Sequence, residues 1–107
     1  MNYTNQQLQL ALAKMLPEKI SVTPFGILDW KDEDWTIQDT EWLHVCWLVE
    51  QTLDGAQKYL YGDILGELVG IEEDYYDGIT YSESQKLIYS SWQQRAEALR
   101  KVKGIEI

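Results

Sequence analysis

Residues 40–53, TEWLHVCWLVEQTL, constrain the fold more than any other part of the chain. At helical spacing Trp42, Cys46, Val49 and Leu53 form one stripe, and Leu43, Val45, Trp47 and Leu48 widen it over most of the circumference. A helix of that kind needs cover on more than one side. It is therefore expected to be the central core helix, or a core helix whose outer face forms a dimer seam. Asp39 or Thr40 is placed to cap it, and Glu41 suits the positive end of its dipole.

Three further helices are predicted around it. Residues 5–16 open with Thr4 and Gln7 at capping-box spacing, place Leu8, Leu12 and Met15 on one face with Ala11 and Leu16, and stop at Pro17. Residues 56–69 carry a stripe of Leu60, Ile64 and Leu68, with Tyr61, Leu65 and Val69 beside it. Gly62 and Gly66 weaken this segment, and their four-residue spacing also suits a close approach by another backbone; a marginal surface helix is the favoured reading. Residues 92–103 follow Ser91 and Gln94, again at capping-box spacing. They line up Trp92, Ala96 and Leu99, place Arg100, Lys101 and Lys103 in the last turn, and end at Gly104.

Between the first two helices the pattern changes to short extended runs. Ile20–Val22, Ile27–Trp30 and Trp35–Ile37 are separated by the turn signal Pro24-Phe25-Gly26 and by the charged run KDED at 31–34. Asp77-Gly78, between Tyr75-Tyr76 and Ile79–Tyr81, signals either a hairpin turn or an ordered loop. The expected fold is α+β: about three short antiparallel strands packed with about four helices, in a two-layer or α-β-α sandwich. At 107 residues the chain fits one domain, 1–107, with an ordinary core.

Three stretches together resemble the phage ABA-sandwich domain family, a group of small phage and prophage proteins. They are LAKMLP at 12–17, DTEWLHVCWLVE at 39–50 and SWQQRAEAL at 91–99. The resemblance implies helices packed about a small sheet and a phage origin. It carries over no site residue, and residues 54–90 fall outside it.

Charge narrows the choice of partners. The formal net charge is −9, distributed as +1 over residues 1–28, −13 over 29–83 and +3 over 84–107. The negative middle and positive end can neutralise each other within one chain or between chains. An acidic surface repels nucleic acid and anionic membrane and attracts basic partners. The chain contains no apolar run long enough for a membrane span. Its opening residues, MNYTNQQLQL, lack the basic flank and apolar core of a secretion signal, and the single cysteine, Cys46, permits no intrachain disulfide. A cytoplasmic location is expected, in the host if the chain is phage-encoded.

Catalytic constellations are not legible. His44 is the only histidine, and Cys46, two residues away, points in another direction on a helix, so the two cannot share a metal there. His44 is expected to be partly buried beside Glu41, and Cys46 to be a small core hydrophobe. Asp32, Glu33 and Asp34, flanked by Trp30 and Trp35, lack the alternating spacing of a calcium loop and read as a solvated turn. No phosphate-binding Gly loop or nucleophile elbow is present. The reading is non-enzymatic, with no cofactor and no metal.

The acidic residues among aromatic rings point instead to protein contact. Asp32, Glu33 and Asp34 in the first cluster, and Glu72, Glu73, Asp74, Tyr75, Tyr76 and Asp77 in the second, are the candidate partner-binding residues. Carboxylates beside planar rings suit an Arg-rich surface through charge-assisted bonds, and they also imitate a nucleic-acid strand. The expected function is a small interaction protein and homodimer that engages a basic host protein, such as a nucleic-acid-handling or defence component, as an inhibitor. Two alternatives stand beside it. One is a nucleotide binder or sponge with its pocket between protomers, for which Arg95, Arg100 and Lys101 would have to line the pocket. The other is a virion or assembly component.

Overall fold

A computed structural model of the chain describes residues 3–33, 35–70 and 90–106. The expected hairpin or loop around Asp77-Gly78 lies outside the described residues. Those described form an α+β fold with four α-helices and a two-stranded antiparallel sheet: α1 (Asn5–Met15), β1 (Ile20–Val22), β2 (Leu28–Trp30), a 3₁₀ turn (Asp39–Glu41), α2 (Trp42–Glu50), α3 (Gly55–Val69) and α4 (Trp92–Lys103).

Three helices start with reciprocal capping boxes. The Gln7, Gln57 and Gln94 amides donate to the side chains of Thr4, Asp54 and Ser91, and each Gln side chain accepts from the cap's own N–H. Each box satisfies two donors that a helix start otherwise leaves unpaired. The exception is α2. Neither Asp39 nor Thr40 caps it; the chain enters through the 3₁₀ turn, where the Gln38 amide donates to Glu41 Oε1 at 3.1 Å. That turn supplies an ordered approach, so α2 starts without a side-chain cap.

β1 and β2 pair in register Ile20↔Trp30, Ser21↔Asp29 and Val22↔Leu28. The connection closes at Gly26, whose φ of +79° lies in the left-handed region that glycine adopts without strain. Its amide donates to the Thr23 carbonyl at 2.9 Å. Phe25, at the tip, is 90% exposed. The expected third strand is reduced to one bridge, Asp29↔Thr36. The Trp30 and Ile37 amides still donate to Trp35 and Leu28 carbonyls, but the chain coils into the 3₁₀ turn at Asp39 before a ladder can extend.

The core joins Leu8, Leu12 and Leu16 of the first helical segment to Ile20, Leu28 and Ile37 of the strand region. It continues through Val45, Cys46 and Val49 on α2 and Ala96 and Leu99 on α4. The helix at its centre is α4, not α2: α4 packs against α1, α2 and α3 together. Four consecutive residues, Ala96 to Leu99, are buried on it. Alanines at 96 and 98 let neighbouring helices approach closely from both sides. α2 buries the expected stripe of Trp42, Cys46 and Val49, but Leu43 and Trp47 remain 50% and 51% exposed on its outer face. On α3 the buried positions are Leu65 and Gly66, with Tyr61 packed on the core, while Leu60 of the expected stripe faces outward.

A charged helix can sit centrally because its charges are paired. Arg95 donates through Nη1 to Glu50 Oε1 of α2 at 3.0 Å and through Nε to Ser90 Oγ at 3.0 Å. The Tyr61 hydroxyl of α3 donates to the same Glu50 oxygen at 2.5 Å. Glu97, almost fully buried, is held by a two-bonded grip from Arg100, whose Nη1 also donates to the Ile105 carbonyl at 3.0 Å. Arg100 further rests over the Tyr3 ring at 5.0 Å.

Two stability predictions follow from this packing. Gly62 is exposed in mid-helix and a Cβ there meets nothing within 4 Å, so Gly62→Ala should raise stability by about 0.5–1 kcal/mol in urea denaturation. Unchanged or lowered stability would show that the helix needs this glycine. Arg95→Met leaves Glu50 without its cation at a site about one-fifth exposed. It should cost about 2 kcal/mol, below the ~3–5 kcal/mol of a fully buried pair. A cost under about 0.5 kcal/mol would place the anchor elsewhere.

Alkaline pH supplies a third. Burial, and then the Glu50 charge, push the Cys46 thiol from 9.0 up to about 12, and burial raises the Tyr61 hydroxyl as well. Each group is neutral in the native state at a pH where the unfolded chain ionises it. The contribution of Cys46 is full below about pH 9 and is lost as pH rises toward 12, while that of Tyr61 is lost only at higher pH. Denaturation midpoints should fall above pH 9, less steeply in Cys46→Ala; equal slopes would show that Cys46 is not among the groups responsible.

Candidate functional site

In β2, Trp30 shares a sheet face with Ile20, its partner across the ladder, so its indole is carried toward the helical side. There its Nε1–H donates to Glu41 Oε2 at 2.8 Å. Glu41 uses its other oxygen to accept from the Gln38 amide, so this one carboxylate fixes both the indole and the start of α2. Between β2 and α2 a cavity of about 350 Å³ opens, at the lower end of the roughly 300–1,000 Å³ usual for ligand sites.

One wall of the cavity comes from α2 and the 3₁₀ turn that leads into it, where Glu41, at the end of the turn, and His44 and Leu48 of the helix fall at i, i+3 and i+7 and so share a flank. Trp30 forms the opposite wall, and Asp32 and Glu33, in the turn after β2, form the rim together with Lys19. The His44 ring stacks on Trp47 at 5.7 Å with 16° between planes. It meets Trp30 at 6.4 Å and 56° on the other side. Two rings, Trp30 and His44, therefore line the cavity, and Trp47 backs the imidazole by stacking on it.

Carboxylates dominate this site electrostatically. Asp32, Glu33 and Glu41 stand against one base, Lys19. Lys31, in the acidic turn, donates its ammonium to the Pro17 carbonyl. Ion pairs among the described residues are Arg95–Glu50 and Arg100–Glu97, so neither Asp32 nor Glu33 is neutralised by one. Both are exposed.

Of the candidate partner-binding residues, Asp32 and Glu33 are brought to the cavity rim. Asp34 lies outside the described residues, as do Glu72, Glu73, Asp74, Tyr75, Tyr76 and Asp77. His44 is exposed and stacked, not partly buried; the 3₁₀ turn and Trp47 hold it at the surface, away from the core stripe. Cys46 is buried as expected, and its thiol donates to the Trp92 carbonyl at 3.4 Å. Sequence reasoning missed Trp30, Glu41 and Leu48 as members of one site. The i, i+3, i+7 spacing of Glu41, His44 and Leu48 was the available signal, but it does not reveal which element faces that flank.

Arg95, Arg100 and Lys101, required by the nucleotide-binding alternative, do not line this cavity; Arg95 and Arg100 are engaged with Glu50 and Glu97. Among the described residues, no group of three or more His, Cys, Asp or Glu converges to hold a metal ion, and no helix is long and apolar enough to cross a membrane. Compared with family models, curated proteins and solved structures, the chain matches none.

Proposed function

We propose that the chain is a non-enzymatic interaction module that receives a basic segment of a partner protein in the groove between β2 and α2. The observation that carries this reading is the pairing of an aromatic wall, Trp30 and His44, with three carboxylates opposed by one lysine. Rings supply contact area at small entropic cost, and unneutralised carboxylates steer and orient a cation. The same carboxylates disfavour a nucleotide, whose phosphates they would repel. In the phage setting that the resemblance implies, the partner is a basic host protein of nucleic-acid handling or defence, and binding inhibits it.

A homodimer belongs to the same proposal. Leu43 and Trp47 form an exposed apolar pair one turn apart on α2, adjoining the groove through the Trp47–His44 stack. A second copy covering that pair would remove it from water.

Replacing Asp32 with Asn and Glu33 with Gln together tests the groove. Both residues are exposed, so folding should be unaffected. Capture of a basic peptide at low salt should weaken about fivefold, and its salt dependence should flatten. Unchanged affinity and an unchanged salt slope would remove the groove from partner binding.

A further inference from the structure

We infer that the groove selects arginine over lysine: its specific occupant is a single guanidinium group from the partner segment, laid against Trp30 and His44 and paired with the rim carboxylates. This inference rests on the interaction reading above and names the chemistry of the partner. Three features of the site favour a planar cation over a compact one.

The first is the rings themselves. A guanidinium stacks flat on an aromatic face while its edge remains free for hydrogen bonds, whereas an ammonium is a strongly hydrated point charge. The His44 imidazole is already held nearly parallel to Trp47, and Trp30 is pinned by its bond to Glu41, so the wall is set before a ligand arrives. Little ordering is then required on binding.

The second is the placement of the carboxylates. Asp32 and Glu33 follow Trp30 directly across Lys31, while Glu41 stands on the other element. The acceptors thus surround the rings from two elements. A guanidinium presents five N–H donors in its plane and can answer acceptors on more than one edge.

The third is the fate of the chain's own bases. Arg95 and Arg100 are spent on Glu50 and Glu97, and Lys31 on the Pro17 carbonyl. No arginine of the described chain lines the groove; its one base, Lys19, sits there with Asp32, Glu33 and Glu41. The complementary planar cation is left to a partner.

The test uses two capped peptides of equal length and charge, identical except that one carries four arginines and the other four lysines. Their affinities for the full chain are measured by calorimetry at two salt concentrations. The arginine peptide should bind at least about fivefold more tightly. His44→Ala, at an exposed position, should reduce that preference to less than about twofold, and His44→Phe, which keeps a ring, should retain it. Equal affinity for the two peptides overturns arginine selection while leaving the basic-partner reading intact. Binding of neither peptide overturns that reading, and this inference with it. A full preference surviving in His44→Ala overturns the stacking role of the ring.

Discussion

The ion pair between Arg95 and Glu50 holds the arrangement on which everything else depends. It lets the most polar helix, α4, occupy the centre of the fold. Three helices converge on α4, and the Glu50 carboxylate is shared by an arginine of α4 and the tyrosine hydroxyl of α3. A partly buried carboxylate with both a cation and a hydroxyl donor is stable; with the cation removed, it bears a desolvation cost that the hydroxyl and its partial exposure offset only in part. Glu97 and Arg100 repeat the solution one turn along, within a single helix. The positive charge of the C-terminal segment is thus partly consumed inside the molecule.

That consumption shapes the surface. With Arg95 turned inward to an acidic residue of α2, the outer flank of the same helix keeps His44, the 3₁₀ turn before it keeps Glu41, and the turn after β2 keeps Asp32 and Glu33. The Trp30–Glu41 bond then ties the sheet to the start of α2 and shapes the groove between them. The core and the groove are therefore linked: α2 presents the Glu50 carboxylate to the interior, while the 3₁₀ turn that leads directly into it presents Glu41 to the cavity.

Local signals in the sequence were reliable where the physics is local. All three capping boxes involve residues three apart, and two of them, Thr4 with Gln7 and Ser91 with Gln94, were legible in advance. So were the two-stranded pairing and the buried stripe on α2. What failed was the ranking of elements by burial. Hydrophobicity pointed to α2 as the centre, but Ala96, Ala98 and Leu99 place α4 there, because small residues permit close packing and its charges find partners 45 and 3 residues away. No periodicity in α4 encodes the distance to Glu50. The third strand failed for a different reason: Trp35–Ile37 has the right residues, but the turn that follows leaves room for only one bridge.

The site was legible by half. Asp32 and Glu33 stood out as acids beside tryptophans, but their cavity is made by Trp30, Glu41 and His44, and the Trp30–Glu41 contact spans eleven residues and two element types. His44 and Cys46, two apart on a helix, point in different directions and cannot share a metal, whereas the stacking of His44 on Trp47 at i+3 is a contact that the sequence pattern does not single out.

An NMR titration of the tryptophan indole N–H signals, assigned through single Trp→Phe variants, addresses the groove most directly. With an arginine peptide as probe, the Trp30 signal should shift strongly, because its N–H lies in the cavity wall, and the signal of Trp42, buried in the core, should stay in place. Saturable peptide binding that leaves Trp30 unmoved would contradict a groove at this position and send the search for the binding surface elsewhere on the molecule.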